Sequence, residues 1–204
     1  MITLLVDRFI KPIMSANSFR KDKLTWNRGK GEIIHLLDIQ KSQWNDKNDI
    51  SFTINLGVCV KSERQIFWNK PFPKTIRRLD CFLYLRVGRL FDNHDHWWTL
   101  KPSDDIDRVG KKLQEIIENK CIPFLDNLDS INKAIAFVEN EVLNQYPAPS
   151  ALIRYAILKY LNHLPDEAYK ILNTLLADNK CKFGHSKVKE VFDRLNSLPV
   201  VTKN

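Results

Sequence analysis

The chain has 204 residues, 44% of them apolar and 27% charged, which excludes wholesale disorder and suits one domain with an appendage. Its net charge of +8 is unevenly placed: residues 1–101 hold 18 Lys and Arg against 10 Asp and Glu, and residues 102–204 hold 14 of each. The start, MITLLVDRFIKPI, has only a short apolar run before Asp7 and no basic leader, so neither a secretory signal nor a membrane span is expected and a cytoplasmic location follows.

Ile2, Leu5, Val6, Phe9, Ile10 and Ile13 recur at helical spacing and predict a first helix of about three turns that Pro12 should end or kink. Asn17 to Lys23 read as a basic link, and Leu24 to Arg28 as a short strand turning at Gly29 to Gly31. Residues 32–42 alternate, with Leu37, Ile39 and Lys41 on one side and Asp38, Gln40 and Ser42 on the other. An Asn- and Asp-rich connection over 44–49 leads to the clearest strand, SFTINLGVCV at 51–60, where Phe52, Ile54, Leu56, Val58 and Val60 alternate with small and polar residues. After a Pro-punctuated loop at 69–74, CFLYLRVGRL at 81–90 predicts a third long strand.

The period then becomes helical. Ser103 is the expected cap of a helix with Ile106, Val109, Leu113, Ile116 and Ile117 as its buried stripe, ending before Pro123. Four further helices are expected over 130–146, 150–164, 166–178 and 186–196. YLNHLPDEAYKILNTLL has some likeness to a tetratricopeptide repeat, but one match does not make a solenoid. The fold class is therefore α+β: an N-terminal helix, a mainly antiparallel sheet of four to five strands with a packing helix over 1–128, then C-terminal helical hairpins over 129–204.

Packing helices on the apolar side of the sheet leaves a second side that collects Asp38, Gln40, Ser42, Thr53, Asn55, Tyr84 and Arg86. A merely solvated face would carry more Lys and Glu, whereas these are mostly short groups of defined hydrogen-bond geometry. With Trp97 and Trp98 they form the candidate ligand- or partner-binding set. The competing reading is a network that only pins strand register. For nucleic acid the candidates are Arg20, Lys21, Lys23, Arg28 and Lys30 with Trp26 among them, as stacking beside phosphate contacts requires.

DNHDHWW at 92–98 gathers Asp92, His94, Asp95 and His96, but at a spacing that matches no metalloenzyme signature, so no metal is assigned. P-loop, dinucleotide, nucleophile-elbow and HExxH motifs are missing, no cofactor is expected, and no catalytic residue is assigned. Cys59, Cys81, Cys121 and Cys181 lack paired spacing and read as buried free thiols; His35 reads as a core histidine.

The motifs FRKDKLTWNR, DIQKSQWN, ISFTINLGV, LRVGRL and WWTL, in that order over about residues 1–128, resemble a bacterial family catalogued as a domain of unknown function, number 4304. The resemblance implies the core fold and places Gln40, Lys41, Ser42, Asn55, Arg86, Gly88, Trp97 and Trp98 in the family motif; it implies no activity. The expected role is non-enzymatic binding of another protein, as an adaptor, toxin-neutralising or defence-associated module. The alternatives are nucleic-acid binding through the basic half, or a small-molecule or metal-dependent enzyme using the polar sheet face.

Overall fold

A computed structural model describes residues 1–46, 49–143, 148–178 and 184–198, without the side chain of Lys30. The chain forms two compact units: Met1–Cys59 with Thr75–Asn127, and Val60–Lys74 with Leu128–Asn204. A piece of the middle of the chain, Val60–Lys74, therefore groups with the C-terminal residues.

The first unit opens with helix α1 over 2–16, which runs as Ile2–Leu5, a π-helical turn Val6–Ile10, and Lys11–Ala16. Pro12 therefore does not end it. The wider turn comes immediately before the residue whose missing N–H would break an ordinary ladder, and the helix resumes with the proline in its new first turn. The same device recurs in helix α4 over 106–127, where the π-turn Ile117–Cys121 precedes Pro123 and the helix continues to Asn127. Asp105, not Ser103, caps α4 by accepting from the backbone N–H groups of Asp107 and Arg108.

Between these helices lie β1 (Arg20–Asp22), β2 (Thr25–Lys30), β3 (Ile33–Lys41) and β4 (Ile50–Val60), each antiparallel to its neighbour where registers are set. β1 lies inside what the sequence suggests is a plain link. The third expected strand is short: β5 (Leu83–Arg86) gives way to helix α3 (Val87–Asp92), and the chain returns as β6 (Trp98–Leu100). β5 pairs residues 55–58 of β4 and β6 pairs residues 50–52, so the two are one interrupted edge strand with a loop thrown out between them.

Trp26, Leu37, Ile39, Phe52, Ile54 and Leu56 bury the core side of the sheet. Arg28 and His35, cross-strand partners on that side, are buried as well; Arg28 reaches Asp126 of α4 at 2.7 Å and the Nδ1 of His35 at 3.0 Å. Gly110 of α4 lets the helix approach α1, since a Cβ there would lie 2.2 Å from the Phe9 ring. Cys59, Cys81 and Cys121 are buried and in no disulfide, and burial pushes the Cys121 thiol up to about 12; Cys181 lies outside the described residues.

The second unit is helical. Helix α2 (Lys61–Trp68), to which sequence reading assigns nothing, joins α5 over 131–142, α6 (Pro149–Leu161), α7 (Pro165–Ala177) and α8 (His185–Ser197). The expected end of α5 at Tyr146 lies outside the described residues. Phe67 of α2 is buried with Ile153, Ala156, Tyr160, Val188 and Leu195, which is why residues 60–74 separate from the sheet they follow. The buried Glu63 accepts from Arg154 Nε at 2.7 Å and Nη2 at 2.9 Å.

Two successive hairpins share one pattern. Ala134 and Val138 of α5 are buried like Ala168 and Leu172 of α7, 34 positions later, and Ile153 and Ala156 of α6 like Val188 and Val191 of α8. The tetratricopeptide-like stretch is thus the middle of a two-hairpin array of similar period, a period faint in sequence because burial repeats while, of these four pairs, only Ala134 and Ala168 repeat the residue itself. Lys159 of α6 ties three helices by bonding Glu139 of α5 at 2.6 Å and Glu167 of α7 at 2.9 Å.

Two predictions follow from these ion pairs. Replacing Glu63 by Ala removes both carboxylate contacts of the buried Arg154 guanidinium and should cost about 3–5 kcal/mol in chemical denaturation, while a change under 1 kcal/mol would contradict the pairing. The hydrogen bonds from Lys159 and Tyr155 hold the Glu139 carboxyl below its ordinary value of 4.5, so its contribution is present above that value and is lost as pH falls through the lowered one. Thermal melts across the acid range should show Glu139→Gln with a flatter loss of stability than the parent chain.

Candidate functional site

Antiparallel pairing puts directly opposed residues on one face, and β4 pairs Asn55 with Arg86 and Gly57 with Tyr84. Asn55 Nδ2 donates to Gln40 Oε1 at 3.3 Å, and Asp38 receives the Tyr84 hydroxyl at 2.9 Å and the Thr25 hydroxyl at 2.8 Å. Asp38, Gln40, Asn55, Tyr84 and Arg86 are thereby brought together on the side opposite Trp26 and Leu56. Arg77 donates to the Thr25 hydroxyl at 2.8 Å and pairs with Asp22, extending the network to the hairpin of β1 and β2. Burial and the neighbouring Asp38 carboxylate push the Tyr84 phenol well above its ordinary range, so it stays a donor.

Arg86 and Thr53 serve the loop between β5 and β6. Arg86 pairs with Asp95, whose carboxyl it holds below the usual range, and its guanidinium lies 5.0 Å over the Trp97 ring. The buried Thr53 donates to the backbone oxygen of His96 at 2.9 Å, where β4 has no strand beside it. Gly88 completes this neck: a Cβ there would lie 2.5 Å from His96 Cβ and 2.7 Å from His94 O. Trp98 leaves the candidate set. It opposes Phe52 in register and packs its ring 6.0 Å from that residue, on the core side. The alternation that separates Trp97 from Trp98 was readable in sequence once WTL is recognised as a strand.

Ser42 belongs to the hairpin turn. Its backbone N–H donates to Ser51 O at 2.9 Å and its Oγ accepts from Trp44 N at 3.1 Å. Asn45 bonds Ser51 through both ends of its amide, at 2.9 and 2.7 Å, and Asp46 Oδ1 accepts from Asp49 N at 2.8 Å. The apolar run of β3 ends in polar residues because those residues fasten this turn. What the turn displays is Trp44, 84% exposed, a residue absent from the sequence-based candidates. Burial cannot be read from sequence when an indole sits in a turn, so only its exposure reveals it.

The basic group reads differently in three dimensions. Trp26 is 1% exposed and offers no ring face to a base, and Arg28 is committed to Asp126 and His35. Lys21 pairs with Asp7 at 3.0 Å, which leaves Arg20 and Lys23 as the exposed cations of the hairpin, with the Lys30 side chain outside the description. Counted by unit, the charge asymmetry also shifts: the first holds 18 Lys and Arg against 15 Asp and Glu, the second 14 against 9. In the Asp/His turn, Asp92 pairs with Lys120 and His94 Nδ1 faces Asp92 O; among the described residues no group of three or more His, Cys, Asp or Glu is arranged for a metal. Among them too, no helix is long and apolar enough to cross a membrane.

Gly88→Ala should displace the neck, because two of the three nearest atoms are backbone and cannot yield. The expected cost is about 1–3 kcal/mol, with a shifted Trp97 indole resonance in NMR spectra; an unchanged resonance and midpoint would show that the close approach is not needed.

No curated protein and no solved structure matches the chain. Residues 10–127, more than half the chain and spanning every element of the sheet, match the family described as domain of unknown function (DUF4304), and the chain belongs to that family.

Proposed function

We propose that the protein is a non-enzymatic protein-binding module of the cytoplasm, an adaptor or neutralising partner, with Trp44 as the anchor of its binding surface. The observation that carries this reading is an indole 84% exposed on a turn whose backbone is fastened by its own side chains. Leaving so much apolar surface in water is unfavourable, and tryptophan is among the residues that dominate binding energy at interfaces. The hydrogen bonds that Ser42 and Asn45 make hold the backbone beside Trp44 before a partner arrives, which lowers the ordering cost of binding. The polar sheet face supports the same reading: Asp38, Tyr84 and Thr25 bond one another, and Arg86 is engaged with Asp95 and Trp97, an arrangement that shapes a surface more than it prepares a reaction.

The test is affinity capture from the native host with quantitative mass spectrometry, using the parent chain, Trp44→Ala, and Lys41→Gln as a surface-charge control. One partner should be enriched by the parent and the control and fall about 30-fold with Trp44→Ala, the effect of a hot-spot loss near 2 kcal/mol. Equal recovery by Trp44→Ala would overturn the assignment.

A further inference from the structure

The Asn55 side chain is fully buried, yet its Oδ1 has no hydrogen-bond partner. Its Nδ2 is spent on Gln40. An amide has a donor end and an acceptor end, and whichever faces Gln40, the other is left over. A buried polar atom without a partner costs about 1–3 kcal/mol, a cost that the sheet carries next to side chains which could have met it. Arg86 is the register partner of Asn55 on β5, with its Cα about 5 Å away across the strand pair, and its guanidinium is paired with Asp95 and lies over Trp97. Gln40, which bonds Asn55, and Arg86, its register partner, are both only half-buried.

We infer that Asn55, with Arg86 beside it, receives a peptide group of the bound partner: a backbone or side-chain amide whose N–H donates to Asn55 Oδ1 and whose carbonyl accepts from the Arg86 guanidinium. A simple anion would satisfy Arg86 and leave Asn55 unpaired, and an ammonium would meet Asn55 but face the arginine cation. Only a group carrying a donor and an acceptor side by side meets both. The assignment rests on the protein-binding reading and names the chemistry that such a partner presents to this face.

The test needs no partner protein. The full chain labelled with nitrogen-15 is titrated with N-acetylglycinamide as the peptide-amide probe and with acetate as the anion probe, following the Asn55 side-chain amide and the Arg86 Nε–H resonances. Saturable movement of both with N-acetylglycinamide, weakened about tenfold in Asn55→Ala, is the expected result, tenfold corresponding to about 1.4 kcal/mol. Should Asn55→Ala not fold, Asn55→Leu, of similar shape and without an acceptor, is to show the same weakening. Immobile resonances with the amide probe would overturn the inference. So would equal movement of Arg86 with acetate, which would mean an anion site only, or a water contact at the Asn55 amide that persists under saturating probe, which would mean a buried water only. Because Trp44 plays no part in this readout, its failure and the failure of Trp44-dependent capture are separate results.

Discussion

β4 is buried from Phe52 to Val60, on both of its faces, and that continuous burial is the constraint from which the first unit follows. A strand can be buried on both faces only if something covers each, and both edges must find hydrogen-bond partners. On one edge β3 supplies them, beginning at the bond from Ser42 N to Ser51 O. The other edge is shared by β5 and β6, and the gap between them is closed by Thr53 reaching the His96 backbone oxygen. The polar residues of β4 are therefore not ornaments of a wet surface. Thr53 is a substitute for a missing ladder bond, and Asn55 is a group that the ladder leaves half-satisfied.

The residues of the family motif fall into place around this strand. Gly88 is small because the neck of the loop passes over it, Arg86 and Trp97 close that neck from the polar side, and Trp98 closes it from the core side against Phe52. Gln40 covers Asn55, and Ser42 fastens the turn that carries Trp44. Such a division leaves one exposed indole beside backbone held by side-chain hydrogen bonds, and one buried amide with an unpaired oxygen.

Much of this architecture is legible in the residues. Strict alternation from Phe52 to Val60 and from Leu37 to Lys41 sets the faces, and with them the sharing of one side by Gln40, Asn55 and Arg86. Period cannot reveal an interruption, however, and LYLRVGRL alternates smoothly through the point where β5 becomes α3. Prolines mislead for a related reason: a missing N–H ends a helix only if no wider turn absorbs it, and the π-turns before Pro12 and Pro123 do so. Helix α2 is missed because eight residues of mixed polarity carry no stripe long enough to recognise, although Phe67 later proves to be core.

What the sequence determined by itself, then, is the side on which each strand residue lies, because side-chain direction along a strand has period two whatever the rest of the chain does. It also determined the starts of α5, α6 and α7, through Ser130, Pro149 and Pro165, since capping and proline preferences act within one turn. Tertiary structure alone decided which polar groups are spent and which remain. Arg28 and Trp26 are withdrawn from the surface by Asp126 and by packing, Arg86 is claimed by Asp95, and Asn55 keeps an unanswered oxygen, because partners nine, fifteen or ninety-eight positions away are chosen by the folded chain and not by local pattern. Trp44 stays in water for a related reason: the sequence places it in a connection and Trp26 in a strand, but only the course of the strands leaves one indole 84% exposed and the other buried.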